Sequence, residues 1–242
     1  LEEQKVKVKL SDLVKRLIEQ VSFEARGSEL VDKKSGVSAR LSIAAYENAV
    51  SSAERRAIIN KEKETQVWIS DLSGIIPSIT GKIELVYEGE QEGPYQVALN
   101  LMDKAMRTQF ATYFPNPDQL KKRKGKEGQP QADNPYRAIT SWFDKGNSIN
   151  LFFNTGDEEK MQQLYKVDGL HAFVKKHFKH TNEKEAALLM EFVLHGLAAY
   201  SLISKKMVEG RIEFKDLMGS MLNIGTGSSY SDDDYDENDF NR

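Results

Sequence analysis

The chain has 242 residues, 39% of them hydrophobic, with 34 Lys and Arg against 37 Asp and Glu for a formal charge of −3. No stretch approaches the roughly 20 apolar residues of a membrane span, and with no cysteine, disulfide scaffolds, thiolate catalysis and cysteine-ligated zinc are excluded. Residues 225–242 carry six acids and one base, which leaves a body of charge +2, too near neutral to suggest general nucleic-acid binding.

The first residue is Leu1, and a charged amphipathic pattern is already under way by Glu2, so the chain reads as part of a longer protein. Ser11 is placed to cap a helix in which Leu13, Val14, Leu17, Ile18 and Val21 recur at helical spacing, ending near Arg26 and Gly27. A polar connector, residues 27–40, leads to Ser42 as the expected cap of a long helix. Ile43, Tyr46, Ala49, Val50, Ala53 and Ala57 form its inner face, and Glu54, Arg55, Arg56, Lys61 and Glu62 form a charged outer face.

Beyond Trp68 the apolar pattern breaks up, and Pro77 reads as a helix stop. Residues 82–88 alternate weakly, as a short strand would. Pro94 suits the first position of a further helix through Val97, Leu101, Ala105 and Phe110. Residues 115–135 hold four of the six prolines and the basic run from Lys121 to Lys126, and read as a mobile insertion.

A second helical region follows, with Ile139, Trp142 and Phe143, then an extended patch at Ile149, Leu151, Phe152 and Phe153. Helical patterns cover about 157–166, 169–178 and 183–204, and the last carries a wide stripe of Leu188, Leu189, Phe192, Val193, Leu197 and Tyr200. The fold class expected is mainly α: a helical bundle over 1–90, a second helical region over 91–224, at most one or two short strands, and a disordered acidic tail over 225–242.

No phosphate-loop glycine motif, G-x-G-x-x-G, H-E-x-x-H or G-x-S-x-G occurs. His177 and His180 sit among Lys175, Lys176 and Lys179, a like-charge setting that opposes a bound cation, so an exposed basic helix end is the better reading than a metal site. His195 lies beside the last apolar stripe and reads as a core or boundary histidine. The basic run offers only one guanidinium and no interleaved aromatic, which reads as a solvated loop. The connector before the second helix differs, because Ser38 and Arg40 stand just ahead of a helix start, where free N–H groups and the positive dipole favour phosphate. A guanidinium fork there suits two phosphoryl oxygens; by composition alone an ordinary surface ion pair remains the alternative.

Phe23-Glu24-Ala25-Arg26-Gly27-Ser28, Ser35-Gly36-Val37-Ser38-Ala39-Arg40, Ile43-Ala44-Ala45-Tyr46-Glu47-Asn48 and Ala53-Glu54-Arg55-Arg56-Ala57 together resemble the region after the nucleotide-binding core of bacterial AAA+ ATPases of the magnesium chelatase subunit I-like, MoxR-related kind. Ile69-Ser70-Asp71-Leu72, Thr80-Gly81-Lys82-Ile83-Glu84-Leu85, Val167-Asp168-Gly169-Leu170 and Glu191-Phe192-Val193-Leu194-His195-Gly196-Leu197 extend the resemblance over roughly residues 10–206. It implies a helical lid in which Arg40 is the sensor-two arginine and, with Ser38, faces the nucleotide. It also implies ATP and Mg2+ in the full-length protein, with no tight binding to this chain alone, since the Walker motifs belong to a preceding core. The partners implied are that N-terminal ATPase core, neighbouring subunits of a homo-oligomeric ring and a client protein, in the cytoplasm, without nucleic acid or membrane. Two further readings stay open: a helical protein-interaction module with no nucleotide role, and a metal-handling protein using His177, His180 and the acidic tail.

Overall fold

A computed structural model describes residues 6–123 and 134–217. The described chain is mainly helical, with five short strands in two small sheets, more strand than the sequence pattern suggests. Strand β1 (Lys7–Lys9) pairs in parallel with β2 (Glu64–Gln66), Val8 opposite Thr65. Between them lie α1 (Asp12–Gly27) and α2 (Arg40–Ile59). The Ser11 hydroxyl accepts the Val14 N–H at 3.3 Å and so caps α1, which buries Leu13, Val14, Leu17, Ile18 and Val21 as their spacing predicts.

Helix α2 begins earlier than expected. The Ser38 hydroxyl takes the Arg40 N–H at 3.2 Å and the Leu41 N–H donates to the Ser38 carbonyl at 2.9 Å, so the first turn closes ahead of Ser42. Ser42 is therefore no cap, and its hydroxyl bonds that of Ser22 on α1 at 2.8 Å. The inner face is also rotated from the expected one: Leu41, Ala45, Ala49, Ala53, Arg56 and Ala57 are buried, whereas Ile43 is 60% exposed.

A 3-10 helix (Ser70–Ile75) runs directly into α3 (Ile76–Thr80). Pro77 sits in the first turn of α3, where its missing N–H has no partner to lose, so it starts this helix rather than stopping one. The expected strand at 82–88 is reduced to isolated antiparallel bridges, Ile83 with Val37 and Leu85 with Val31, before α4 (Tyr87–Glu92). Those bridges, with the Ser38 N–H to Lys82 carbonyl bond at 3.2 Å, pin the 27–40 connector to the rest of the chain. Gly93, at φ +93, turns the chain into α5 (Pro94–Tyr113), which starts at Pro94 as anticipated.

Within the expected insertion, Pro117–Arg123 forms α6, and residues 124–133 lie outside the described residues. Then come α7 (Arg137–Asp144), β3 (Ile149–Phe152), α8 (Asp157–Tyr165), α9 (Leu170–His177) and α10 (Glu183–Ala199). The last helix stops short of 204, giving way to β4 (Ser204–Val208) and β5 (Arg211–Lys215), which form a hairpin across Glu209 and Gly210, with Gly210 at φ +70. Strand β5 is central, antiparallel to β3 and β4, and buries Ile212 and Phe214 by simple alternation. The acidic segment 225–242 lies outside the described residues.

One apolar core runs from Leu13 to Phe214, with residues from both sides of position 90. Helix α1 packs on α5, α5 on α10, and α10 on α8 and α9. At its aromatic centre the Phe110 ring lies 5.3 Å from that of Phe114, 5.7 Å from Phe192, 5.8 Å from Tyr200 and 5.9 Å from Tyr136. No helix among the described residues is long and apolar enough to cross a membrane.

Candidate functional site

Ser38 and Arg40 are held by three local devices. The connector is bonded to residues 82–84, the Ser38 hydroxyl and carbonyl close the first turn of α2, and the Ser22–Ser42 bond ties that turn to the last part of α1. Arg40 is exposed, and no hydrogen bond or ion pair engages its side chain among the described residues. The first turn of this 20-residue helix carries no acid, so neither the guanidinium nor the positive helix end is neutralised locally. Beside the bonded serines, Phe23 is 62% exposed and Ile43 60%, and the Arg26 guanidinium lies 6.0 Å from the Phe23 ring. The chemistry on offer is anion binding next to an apolar surface.

The most heavily charged part of the interior is elsewhere, and sequence reasoning missed it. Arg56, assigned to the outer face of α2, is 1% exposed. Its Nε and Nη2 donate to the two oxygens of Asp71 at 3.2 Å each, its Nη1 donates to Asp157 Oδ1 at 2.8 Å, and Nη2 also donates to the Thr65 hydroxyl and the Gln66 carbonyl at 3.0 Å each. Asp157, in the first turn of α8, further accepts from the Trp68 indole N–H and the Thr65 hydroxyl, both at 2.8 Å. Burial pushes the Asp157 carboxyl up, but these donors and the guanidinium outweigh it and hold it below its ordinary range. Burial likewise opposes the Arg56 charge, and Asp71 and Asp157 more than restore it.

A second set lies beside the first. Glu191 of α10 is fully buried and accepts the backbone N–H groups of Ile69 and Ser70 at 2.9 and 3.0 Å, capping the 3-10 helix from a distant element. Burial raises its pKa against the pull of Lys160. The Lys160 ammonium, also fully buried, donates to the Ser70 hydroxyl at 2.5 Å and lies 5.3 Å from the Trp68 ring centre. Ser70 is 1% exposed, and its bond to Lys160 joins the 3-10 helix to α8. Only once the Ala49, Ala53 and Ala57 stripe is known to face inward does Arg56, which falls on it, require buried partners.

Among the described residues, no group of three or more His, Asp or Glu side chains is placed to hold a metal ion. His177 gives its Nδ1 to the Phe173 carbonyl at 2.9 Å and packs against the rings of Phe173 and Phe114. His171 lies 3.3 Å from Glu183. His195 is 5% exposed, its ring edge-on to Phe214 at 5.1 Å, and its Nε2 has no hydrogen-bond partner among the described residues. The side chains of the basic run 121–126 lie outside the described residues. Comparison with protein families, curated proteins and solved structures found no match to this chain.

Proposed function

We propose that this chain is the C-terminal lid and accessory helical portion of a bacterial AAA+ ATPase of the magnesium chelatase subunit I-like, MoxR-related kind. In this reading Arg40 senses bound ATP and the lid couples hydrolysis to remodelling of a partner protein. The observation that carries the reading is the unengaged Arg40 guanidinium at an un-neutralised helix start, held there by Ser38. ATP, when bound with Mg2+ by the preceding core, supplies the phosphoryl group. Arg40 would contribute a two-pronged donor to oxygens on which charge builds during transfer. The cytoplasm, a homo-oligomeric ring and a client protein belong to the same proposal. Because α1 and α2 are tied by the Ser22–Ser42 bond and packed on a common core, a phosphate-dependent pull on Arg40 would move the lid as a body.

The test joins this chain to its natural upstream core and measures ATP turnover. Arg40→Ala is expected to lower kcat by about tenfold or more while the melting temperature stays unchanged, since the side chain is exposed and unbonded. Unchanged turnover removes Arg40 from the mechanism. A helical protein-interaction module without a nucleotide role is the second reading, favoured by the exposed Ile58 (61%) and Tyr87 (69%), and it expects Arg40→Ala to leave turnover intact.

A further inference from the structure

Helices α7 and α9 wall an open groove of about 550 Å³, well above the roughly 150 Å³ that takes up a benzene-sized ring. Its apolar lining comes from Ala138 and Ala172, both exposed, and from Phe173. Each helix also contributes a cation, Arg137 from α7 and Lys176 from α9. Both are exposed, and no hydrogen bond or ion pair engages either side chain among the described residues. No acid lines the groove among those residues, so the two charges stand uncompensated there. Cations from two elements beside an apolar surface suit an acidic segment that carries an aromatic side chain.

The chain itself holds such a segment. Among the six acids of residues 225–242, Tyr230, Tyr235 and Phe240 recur at five-residue spacing. A purely solvating acidic stretch is poor in aromatics, so these rings call for a surface that takes them up. The fold also brings the point of attachment close. Phe214 of β5 lies opposite Ile149, so the chain leaves the sheet beside the start of β3, a short turn after α7 ends at Asp144. Residues 218–229, at about 3.3 Å each, reach roughly 40 Å, whereas α7 is about 12 Å long. Such a tether holds the segment at an effective concentration of about a millimolar, enough for a contact too weak to retain a free peptide. We propose that the groove between α7 and α9 docks residues 230–240 of its own chain, Arg137 and Lys176 pairing with the aspartates while an aromatic side chain covers Ala138 and Ala172. This surface does not involve Arg40 and does not depend on the ATPase reading.

Because the chain has no cysteine, Ser231→Cys gives a single site for a nitroxide label in the 15N-labelled full chain. The label is expected to broaden the amide resonances of Ala138, Ala172 and Lys176 severalfold more than that of Arg40, and equally after tenfold dilution. Salt at about 1 M, where the screening length is about 3 Å, is expected to weaken the broadening by half or more. Arg137→Glu with Lys176→Glu, both at exposed positions, is expected to do the same. So is the triple change Asp232→Lys, Asp233→Lys and Asp234→Lys, which leaves the described residues unaltered; the two sets combined are expected to restore it. Broadening spread evenly over the surface or centred on Arg40 would overturn the proposal, as would broadening retained in either charge-reversed chain. Broadening that fades on dilution would also overturn it, since the groove would then be taking the segment of a second copy.

Discussion

Individual side chains here are decided by what encloses them. Arg40 and Arg56 share a helix and a charge, yet one is exposed and unbonded while the other is sealed in with two aspartates. His195 shows the same control over protonation. Burial first, then the charges of Lys205 on β4 and Lys160 on α8, hold its pKa well below the ordinary 6.5, while Asp103 on α5, paired with Lys205, lines the same pocket as the ring, and Glu191 lies one turn earlier on α10. Since the unfolded chain protonates this ring more readily than the folded one, its contribution to stability is complete above about pH 6.5 and is lost as pH falls below it. Stability measured by urea unfolding is therefore expected to drop by about 1 kcal/mol between pH 7.5 and 5.5 on account of this residue. His195→Gln should flatten that segment of the profile; an unaltered slope would show that the ring does not titrate as its burial requires.

Between elements, close approach matters more than propensity. Gly196 lies within α10, where alanine would gain about 1 kcal/mol in helix propensity. A Cβ at this position, however, would stand 2.0 Å from Phe110 Cδ2 and 2.5 Å from its Cε2. The Phe110 ring cannot swing away, being packed against four other aromatic rings. Overpacking of this kind costs about 1–3 kcal/mol, so Gly196→Ala is expected to lower the melting temperature, and a rise would show that α5 can retreat from α10. The Ala45, Ala49, Ala53 and Ala57 ladder of α2 follows the same logic, small side chains at four-residue spacing allowing α2 to seat against the 3-10 helix. From sequence, those alanines could not by themselves tell which face was inside, because Ile43 and Val50 advertised a competing stripe.

At the level of the whole molecule, the Arg56 cluster joins segments 101 residues apart, α2 and the 3-10 region on one side and α8 on the other, across a core that is already continuous. Removing the guanidinium leaves the buried Asp71 without its counter-charge and Asp157 with Lys184 alone, at 3.3 Å, which costs about 3 kcal/mol. Arg56→Ala is expected to lower the unfolding free energy from urea titration by that amount in a single transition, seen identically by tryptophan fluorescence and by helical circular dichroism. Two separated transitions would show that residues before and after position 90 fold independently. Much of this architecture was legible beforehand. The Ser11 cap, the stripe of α1, the start of α5 at Pro94 and the apolar helix α10 all follow from local spacing and cap chemistry, which act within a turn or two of chain. Ser38 and Arg40 were expected just ahead of a helix capped by Ser42, whereas the helix starts at Arg40 itself. The terminal hairpin was legible only in retrospect, in the alternation around Ile212 and Phe214. The burial of Arg56, the reach of Glu191 to the 3-10 helix and the enclosure of His195 were decided by tertiary structure alone. Each depends on groups more than 90 residues apart in sequence, or on walls from several elements, and no local periodicity encodes which distant donor meets which buried acceptor.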